Sequence, residues 1–442
     1  MSDVATPPSA SKRLKILFTE GSSSSARQAL YCLGPQHTID LLDPATFCQC
    51  RFSRYVRRWY RCPSYSREPD AYLSFLVERL RAERYDVLLP THEQVFLLAR
   101  FREALSRYAG LALPAFEALD QVMSKAGFVR LLAELGLPYP ATKIVRDRAG
   151  LLASAEFPCY VKLAYSTAGE GVRYVADADQ LHRVAEDFEA AGWLDGRAEI
   201  LVQAPAVGSK RAVTAVFQHG RLVASHCVEA RAIGVGGSGM AEVGVAHAEV
   251  MDPLTRLAAH LQWQGAICLE YFYNPATGEP QFIECNPRMA QSCNAWLSGV
   301  NLGQQLVDVS LDRRVSPLPP GRVGVRSHQG FLVLTAAALE GGNRRRLLGE
   351  IGRAWRGRDI YRESQDELTR PRDDWQSVIP ATAVSLLLLA RPRAAGWLVT
   401  RTVNNYSLHQ TAVETMRCLR PTHPFTAEGI GETHTSDREG CE

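Results

Sequence analysis

Two apolar runs within residues 265–292, GAICLEYFYNPATGEPQFIECNPRMAQS, each carry one acid, Glu270 and Glu284, and the carboxamide Asn286 follows two residues after the second acid. The apolar runs on either side of residues 274–279 predict a β-hairpin. In such a hairpin Glu270 can lie beside Glu284, and Asn286 shares a face with Glu284 because side chains two apart on a strand point the same way. These oxygen ligands suit Mg²⁺ that also holds nucleotide phosphates. The alternative is a surface hairpin whose acids face water.

Two cations accompany this group of oxygen ligands. Arg288 follows Asn286 directly, and a cation at that place suits an anionic substrate or intermediate. Lys162 lies within the β-rich run 157–174, followed by a Thr/Gly loop and a second strand. A lysine inside a strand needs an anion, and a glycine loop lets backbone N–H groups reach phosphate oxygens. The loop is not a Walker A sequence, because its lysine precedes its glycines.

The elements before these residues predict a parallel sheet. Strands at 14–18, 38–42 and 85–90, with a helix at 72–84, have the spacing of strand–helix–strand units. Glu20 lies in the turn after the first strand, which is either part of an acceptor pocket or an ordinary βα turn. The basic, aromatic stretch 51–61 is predicted to be a solvated, partly packed segment rather than a nucleic-acid patch.

The remaining elements follow from local patterns. Ser124 and Lys125 open a helix that ends at Gly136, residues 200–203 form a strand, and residues 213–217 and 221–228 form a hairpin. The glycine-rich segment 230–245, which contains Arg231, is predicted to be a flexible loop, either a lid or a mobile connector. Further predictions are a helix at 254–264, strands at 321–325 and 331–334, core segments at 378–389 and 397–402, and a helix at 405–419.

Composition bounds the class of protein. The 442 residues are 46% hydrophobic and 22% charged, with a net charge of +3. These values are typical of a soluble protein with two or three domains and argue against nucleic acid or a membrane as partner. The eleven cysteines form no C-x-x-C pair, which indicates reduced thiols in a cytoplasmic protein. The start of the chain has no apolar signal segment, and the apolar run 381–390 is too short to span a bilayer.

Taken in order, Lys125, Lys162 with its glycine loop, the 200–203 strand, Glu270 and the E-x-N-P-R segment resemble the ATP-grasp superfamily. The resemblance covers about residues 14–315 and is closest to the carbamoyl-phosphate-synthase-like, carboxylate–amine ligase branch. It implies an α/β chain with a Rossmann-like domain at 14–114 and an α+β ATP-grasp domain at 115–315, whose β-rich lid lies at about 150–205. Outside this range, local composition predicts a disordered leader at 1–13, a C-terminal α/β extension at 316–424 and a polar tail at 425–442.

The resemblance also implies roles for individual residues. The phosphate ligands would be Lys125 and Lys162, with Thr167, Gly169 and Gly171 in the phosphate loop. Adenine would contact Val202, Gln203 and Ala204, and the metal, Mg²⁺ or alternatively Mn²⁺, would be held by Glu270, Glu284 and Asn286. Arg288 would stabilise an acyl-phosphate and, with Lys162, act in catalysis. Candidate substrate contacts are Glu20, His92, Glu93, Arg231 and Arg288, with helix capping by Thr91 as the alternative for the 92–93 loop.

One position departs from the pattern of the superfamily. Acids commonly follow the hinge, as Q-E-(Y/F)-x-x-G-x-E, and the last acid takes the ribose hydroxyls. Here those positions are Ala204 and Lys210. A lysine cannot accept hydrogen bonds from hydroxyl groups, so either another residue binds the ribose, nucleotide affinity is lower, or the alignment shifts locally. Lys210 stays a candidate nucleotide contact.

The implied function is an ATP-dependent ligase that activates a small carboxylic acid as an acyl-phosphate and couples it to an amine. The expected partners are these small molecules and, as a possible assembly, a second copy of the chain. Two alternatives stay open: an enzyme acting on bicarbonate or carbamate, and a nucleotide-binding regulatory protein without turnover. A Rossmann oxidoreductase would need a glycine fingerprint that the sequence lacks.

Overall fold

The computed structural model describes residues 12–419 except Ala168 and His247. The polar tail expected at 425–442, and all but the end of the leader expected at 1–13, lie outside the described residues. Three β-sheets organise the described chain, and helices cover them. No helix in this part of the chain is long and apolar enough to cross a membrane.

The first sheet is parallel and four-stranded, in the order β3-β2-β1-β4. Its elements and the helices that follow are β1 (Lys15–Phe18), α1 (Ser24–Leu33), β2 (Thr38–Asp43), β3 (Val56–Arg61), α2 (Pro69–Glu83), β4 (Val87–Leu89), α3 (Val95–Arg100), α4 (Arg102–Leu105), α5 (Phe116–Met123) and α6 (Lys125–Glu134). Residues 51–61 were predicted to be solvated and partly packed without an assigned element; the structure forms β3 there, with a mixture of exposed and half-buried side chains. This strand lies at the sheet edge, where Arg57 pairs with Asp40 and Arg58 pairs with Glu83, and so it lacks the apolar pattern of a buried strand.

The second sheet is antiparallel, in the order β5-β8-β6-β7. It comprises β5 (Thr142–Asp147), α7 (Arg148–Ser154), β6 (Cys159–Leu163), β7 (Val172–Val175), α8 (Ala178–Ala190) and β8 (Asp195–Gln203). Its two helices pack on one face around a core that includes Val161 and Phe188. The strands predicted at 172–175 and 200–203 are confirmed, and the glycine loop 164–171 connects β6 to β7.

The third sheet is seven-stranded, in the order β13-β12-β9-β10-β11-β14-β15. Its main elements are β9 (Ser209–Gln218), β10 (Arg221–Ile233), β11 (Gly239–Val245), α9 (Met251–His260), β12 (Gly265–Asn274), β13 (Glu279–Asn286), α10 (Ser292–Leu297) and α11 (Leu302–Ser310). Both predicted hairpins are confirmed: β9 pairs with β10, and β12 pairs with β13 around the turn at 274–279.

The last part of the chain is mostly helical, with two short strands that extend the third sheet. It comprises β14 (Arg326–His328), α12 (Gly330–Leu339), α13 (Arg344–Trp355), β15 (Ser364–Asp366), α14 (Val378–Ala390), α15 (Ala394–Val403) and α16 (Gln410–Cys418). The strands predicted at 321–325 and 331–334 are wrong, because the strand is Arg326–His328 and the second run lies within α12. An apolar run of that length fits either element, and here it forms one of the helices around a small core at Leu347.

The apolar segments predicted as core at 378–389 and 397–402 are helices with little buried surface. Leu388 is the buried residue of α14, while Ile379 and Trp397 are exposed to solvent. One face of these two helices borders a cavity in the middle of the molecule. The prediction of core packing is therefore corrected: these side chains form a cavity wall.

Candidate active site

A cavity of about 610 Å³ lies between the glycine loop, the third sheet and the C-terminal helices. Most of the residues singled out in the sequence line it: His92, Glu93, Thr167, Gly169, Lys210, Glu270, Glu284, Asn286 and Arg288. They come from all three sheets or their loops, so the fold brings together residues that are almost 200 positions apart in the chain.

The two acids of the hairpin are directly opposite each other, because Glu270 pairs with Glu284 in the β12–β13 register. The Asn286 amide donates to Glu270 Oε1 at 3.3 Å. Like charges facing each other across a strand pair are destabilising, and each acid here contacts a cation. Lys125 Nζ lies 3.0 Å from Glu284 Oε1, and Lys210 Nζ lies 2.6 Å from Glu270 Oε2.

The pKa of Glu284 reflects this competition. Burial by itself raises the pKa of the carboxyl, but Lys125, with smaller contributions from Lys210 and Lys162, outweighs burial, and the net effect is a lowered pKa. Glu284 is therefore ionised at neutral pH. An ionised carboxylate, a second carboxylate and an amide oxygen form a donor set that fits Mg²⁺.

Lys162 is the phosphate-binding lysine predicted on β6. Its Nζ donates to Gln203 Oε1 at 2.6 Å, and Gln203 in turn donates to Thr142 Oγ1 at 2.8 Å. Burial is the largest influence on this lysine and lowers its pKa to about 8, against the opposing attraction of Glu284. Among the described residues, no carboxylate is in direct contact with the Lys162 ammonium group. An incoming phosphate would therefore stabilise the charged form of this lysine.

The glycine loop closes on the third sheet. Gly169 has a φ of +73°, and a Cβ atom there would lie 2.5 Å from Gly236 Cα in the loop between β10 and β11. Only glycine permits both this backbone conformation and this approach. On the other side, the Leu408 N–H donates to Thr167 Oγ1 at 3.2 Å, so the segment before α16 also contacts the loop.

The predicted hinge lies at the end of β8. The backbone of Val202 and Gln203 takes part in the ladders with β5 and β6, and the Ala204 N–H donates to Ala141 O at 2.8 Å. Since that N–H is already used, a contact from Ala204 to adenine would have to come from its carbonyl oxygen.

Lys210, which the sequence resemblance aligns with the usual ribose acid, directs its side chain to the acid pair. Besides Glu270, its Nζ contacts Gly237 O at 2.6 Å. Burial opposes the charged form of this lysine, but Glu270 overcomes burial and its pKa is raised. The sequence alone does not reveal this pairing, because Lys210 and Glu270 lie on neighbouring strands 60 positions apart.

Arg288 links the acid pair to the first part of the chain. Its Nη2 donates to Asn286 Oδ1 at 2.9 Å, and its Nε lies 3.4 Å from Glu93 Oε1. His92 packs against the Tyr406 ring with ring centres 4.3 Å apart, and burial holds the pKa of His92 well below its usual value. His92 is therefore neutral, whereas Arg288 provides a cation at this end of the cavity.

Two predicted substrate contacts are not at the cavity surface. The Glu20 carboxylate accepts hydrogen bonds from the backbone of Ser22 and Ser23, so the alternative of an ordinary βα turn describes its environment. Arg231 is largely exposed and lies 3.4 Å from Glu229 Oε1. Conversely, Glu242 and Gln291 line the cavity although no sequence motif marks them.

Comparison with known proteins agrees with this architecture. The chain matches no family model. It is 30% identical over 139 residues to the formate-dependent phosphoribosylglycinamide formyltransferase of Thioalkalivibrio sulfidiphilus (strain HL-EbGR7). That match covers 30% of the chain and spans about a third, 34%, of the length of the curated relative.

Solved structures resemble a much larger part of the chain. The L-amino acid ligase from Bacillus licheniformis superposes with a TM-score of 0.54 and 16% identity, covering 69% of this chain and 76% of that one. N5-carboxyaminoimidazole synthetase from Staphylococcus aureus, complexed with ADP, superposes with a TM-score of 0.57 and 11% identity. The superposition covers 74% of this chain and 85% of that one. The biotin carboxylase domain of Hydrogenobacter thermophilus 2-oxoglutarate carboxylase, with MgADP and bicarbonate, superposes with a TM-score of 0.56 and 15% identity. The superposition covers 71% of this chain and 73% of that one.

These proteins are ATP-grasp enzymes, and the chain has the ATP-grasp fold. The resemblance inferred from the sequence is confirmed at this level, as is the mixed α/β class with several sheets. The role of each site residue stays a prediction.

Proposed function

We propose that the protein is an ATP-dependent ligase that activates a carboxylic acid as an acyl-phosphate and couples it to an amine. The observation that carries the proposal is the convergence of three buried or half-buried lysines, Lys125, Lys162 and Lys210, on the facing acids Glu270 and Glu284. Such a concentration of charge inside a protein is costly unless ligands complete it.

The three sheets have separate tasks in this proposal. The first, parallel sheet is the Rossmann-like domain at 14–114 that supplies His92 and Glu93. The second sheet is the lid, which supplies Lys162 and the glycine loop. The third sheet supplies the acids that would hold Mg²⁺. This division is supported by the sheet topology and by the position of the cavity at the junction of the sheets.

Phosphoryl transfer needs positioning and charge neutralisation more than covalent help from the protein. Lys125 and Lys162 would hold the nucleotide phosphates, and the N–H groups of the glycine loop would enclose them. Glu270, Glu284 and Asn286 would hold Mg²⁺, which when bound supplies positive charge to the phosphate oxygens. Arg288 would orient the carboxylate of the acid substrate and stabilise charge on the transferred phosphoryl group.

The proposed reaction has two chemical steps. A carboxylate oxygen of the acid attacks the γ-phosphorus of ATP, giving an acyl-phosphate and ADP. The amine nitrogen then attacks the acyl carbon, the C–O bond to phosphate breaks, and phosphate leaves with its electron pair while the nitrogen loses a proton. Arg288 would stabilise the charge that develops in both steps, and a cation already in place for such charge lowers barriers effectively.

The cavity favours this reaction over one that uses bicarbonate alone. A volume of about 610 Å³, walled on one side by the mostly apolar side chains of α14 and α15, is much larger than a bicarbonate ion requires. Among the structural relatives, the L-amino acid ligase is named for joining amino acids. A carboxylic acid with a carbon skeleton and an amine fill such a space.

Trapping of the intermediate tests the proposal. With ATP, Mg²⁺ and the cognate acid but no amine, added hydroxylamine should convert the acyl-phosphate to a hydroxamate in step with ADP formation. Arg288→Met should reduce hydroxamate formation, while the exposed Arg322→Met should not. ADP formation without hydroxamate from any acid in a broad panel would contradict the acyl-phosphate route.

A further inference from the structure

The cavity also contains a buried acid that the proposed chemistry does not use. Glu242 on β11 is 4% exposed and lines the cavity. The register places it on the same face of the sheet as Glu270: Glu270 pairs with Ala212, Ala212 with Val228, and Val228 with the residue two positions after Glu242. Ala212, Val228 and Ala230 of the two intervening strands line the cavity between the two acids.

Glu242 has an oxygen without a partner. Among the described residues its Oε2 accepts no hydrogen bond and its carboxylate forms no ion pair, while Gln291 contacts the carboxylate from the side. Glu367, buried nearby, also has an unpartnered oxygen, although the amides of Gln28 and Gln329 donate to its other one at 2.8 and 3.0 Å. The cation on this side of the cavity, Lys210, is already paired with Glu270.

Burial is the main influence on the pKa of each of these acids. It raises the pKa of Glu242 well above its usual range, with the charge of Glu367 adding to the effect, and it raises the pKa of Glu367 to about 7. A buried carboxyl that lacks a cation is costly to ionise. A ligand that brings a cationic group would remove that cost, whereas an anionic or neutral ligand would not.

Another wall of the same cavity is mostly apolar. Helix α14 contains no charged residue, and its exposed face contributes to the cavity together with α15. The wall comprises the apolar residues Ile379, Pro380, Ala383, Val384, Leu387, Leu398, Val399 and Val403, with Thr402 as its polar member. A ligand here therefore meets one acid and an extended hydrocarbon surface.

We propose that this part of the cavity binds the amine substrate, as a primary ammonium group on an apolar carbon skeleton. The ammonium group pairs with Glu242, and the skeleton packs against α14 and α15. This inference rests on the proposed function only in calling the ligand a substrate, because the contacts that recognise it do not depend on turnover.

Binding calorimetry without nucleotide tests the ammonium contact. The probes are 3-methylbutylamine and 4-methylpentanoate, which share a branched skeleton but carry opposite charges. Glu242→Gln keeps the size of the side chain. We expect it to weaken the binding of 3-methylbutylamine by about 10- to 100-fold, since a buried charge-assisted hydrogen bond contributes about 1.5–3 kcal/mol. Binding of 4-methylpentanoate should not weaken. The matched control is Glu279→Gln, an exposed acid of the same sheet.

Two adjacent leucines of α14 test the apolar contact. Leu387 lines the cavity, whereas Leu386 is 62% exposed. Leu387→Asn should weaken the binding of 3-methylbutylamine more than the binding of methylamine. Leu386→Asn should leave the affinity for both amines unchanged.

The proposal is overturned if wild-type protein binds no amine at millimolar concentration, or if Glu242→Gln binds 3-methylbutylamine as the wild type does. A failure of the proposed function would look different. It would leave amine binding dependent on Glu242, with no acid–amine pair releasing ADP.

Discussion

Glu270 and Glu284 face each other across β12 and β13, and each is held by its own lysine, Lys210 and Lys125. Two opposed carboxylates at the centre of a cavity are unstable without positive charge, and the lysines provide it in the protein as described. The same two acids are the residues proposed to hold Mg²⁺. Metal binding therefore has to compete with, or rearrange, these two ion pairs.

Glu284→Gln should reduce Mg²⁺-dependent turnover by roughly 100- to 1,000-fold, because it removes a charged ligand from the acid pair. The fold should persist, since the amide keeps the size of the side chain. Titration of activity with Mg²⁺ and a thermal unfolding curve measure the two effects. Turnover close to that of the wild type would contradict the metal assignment.

Lys210→Met should lower the free energy of unfolding by about 3 kcal/mol without Mg²⁺, because it leaves Glu270 buried beside Glu284 without its cation. Added Mg²⁺ should restore part of the loss. Denaturant unfolding with and without Mg²⁺ measures this, and Lys143→Met, at an exposed ion pair, is the control. A loss equal to that of the control would show that Lys210 does not neutralise the acid.

Nucleotide affinity should fall as the pH rises through about 8, the value to which burial lowers the pKa of Lys162. Below that pH the lysine is charged before ATP arrives; above it, binding must also take up a proton. The same pKa means that the charged lysine costs stability most below pH 8, and that this cost disappears as the pH approaches the unfolded value near 10.5. Isothermal titration calorimetry of ATP binding at a series of pH values measures the fall in nucleotide affinity.

Lys162→Met supplies the comparison. ATP should bind this variant more weakly, and the step near pH 8 should be absent. If the ATP affinity of the variant still fell by the same amount near pH 8, the fall would have to come from another titrating group.

Gly169→Ala should raise the KM for ATP by about tenfold, because its Cβ would overlap Gly236 and hold the glycine loop open. Gly192 is a matched control: it has a similar φ of +75°, but nothing lies within 4 Å of its Cβ position. Both variants should lose about 1 kcal/mol of stability from the left-handed backbone. Equal KM values for the two variants would mean that closure onto Gly236 does not matter for nucleotide binding.

The sequence predicted the parts of the site that depend on local patterns. The hairpin that positions Glu270 and Glu284 follows from its turn and its two apolar runs, and the helix at Lys125 follows from its Ser124 cap. It did not predict β3, because an edge strand with exposed arginines lacks the pattern of a buried one.

Contacts between distant segments escaped prediction for a different reason. The pairing of Lys210 with Glu270 depends on strand order, and no motif marks Glu242. The run 378–389 looked like core because apolar composition is the same for a core helix and for a helix that walls a cavity. Only the tertiary structure separates these two cases.

The most direct test of the central claim is ADP release from ATP and Mg²⁺ across an array of carboxylic acids paired with amines, with mass spectrometry of the products. We expect ADP from particular pairs only, together with a product lighter than acid plus amine by one water. ATP that binds tightly but yields neither ADP nor such a product with any pair would contradict the ligase assignment and favour a nucleotide-binding protein without turnover.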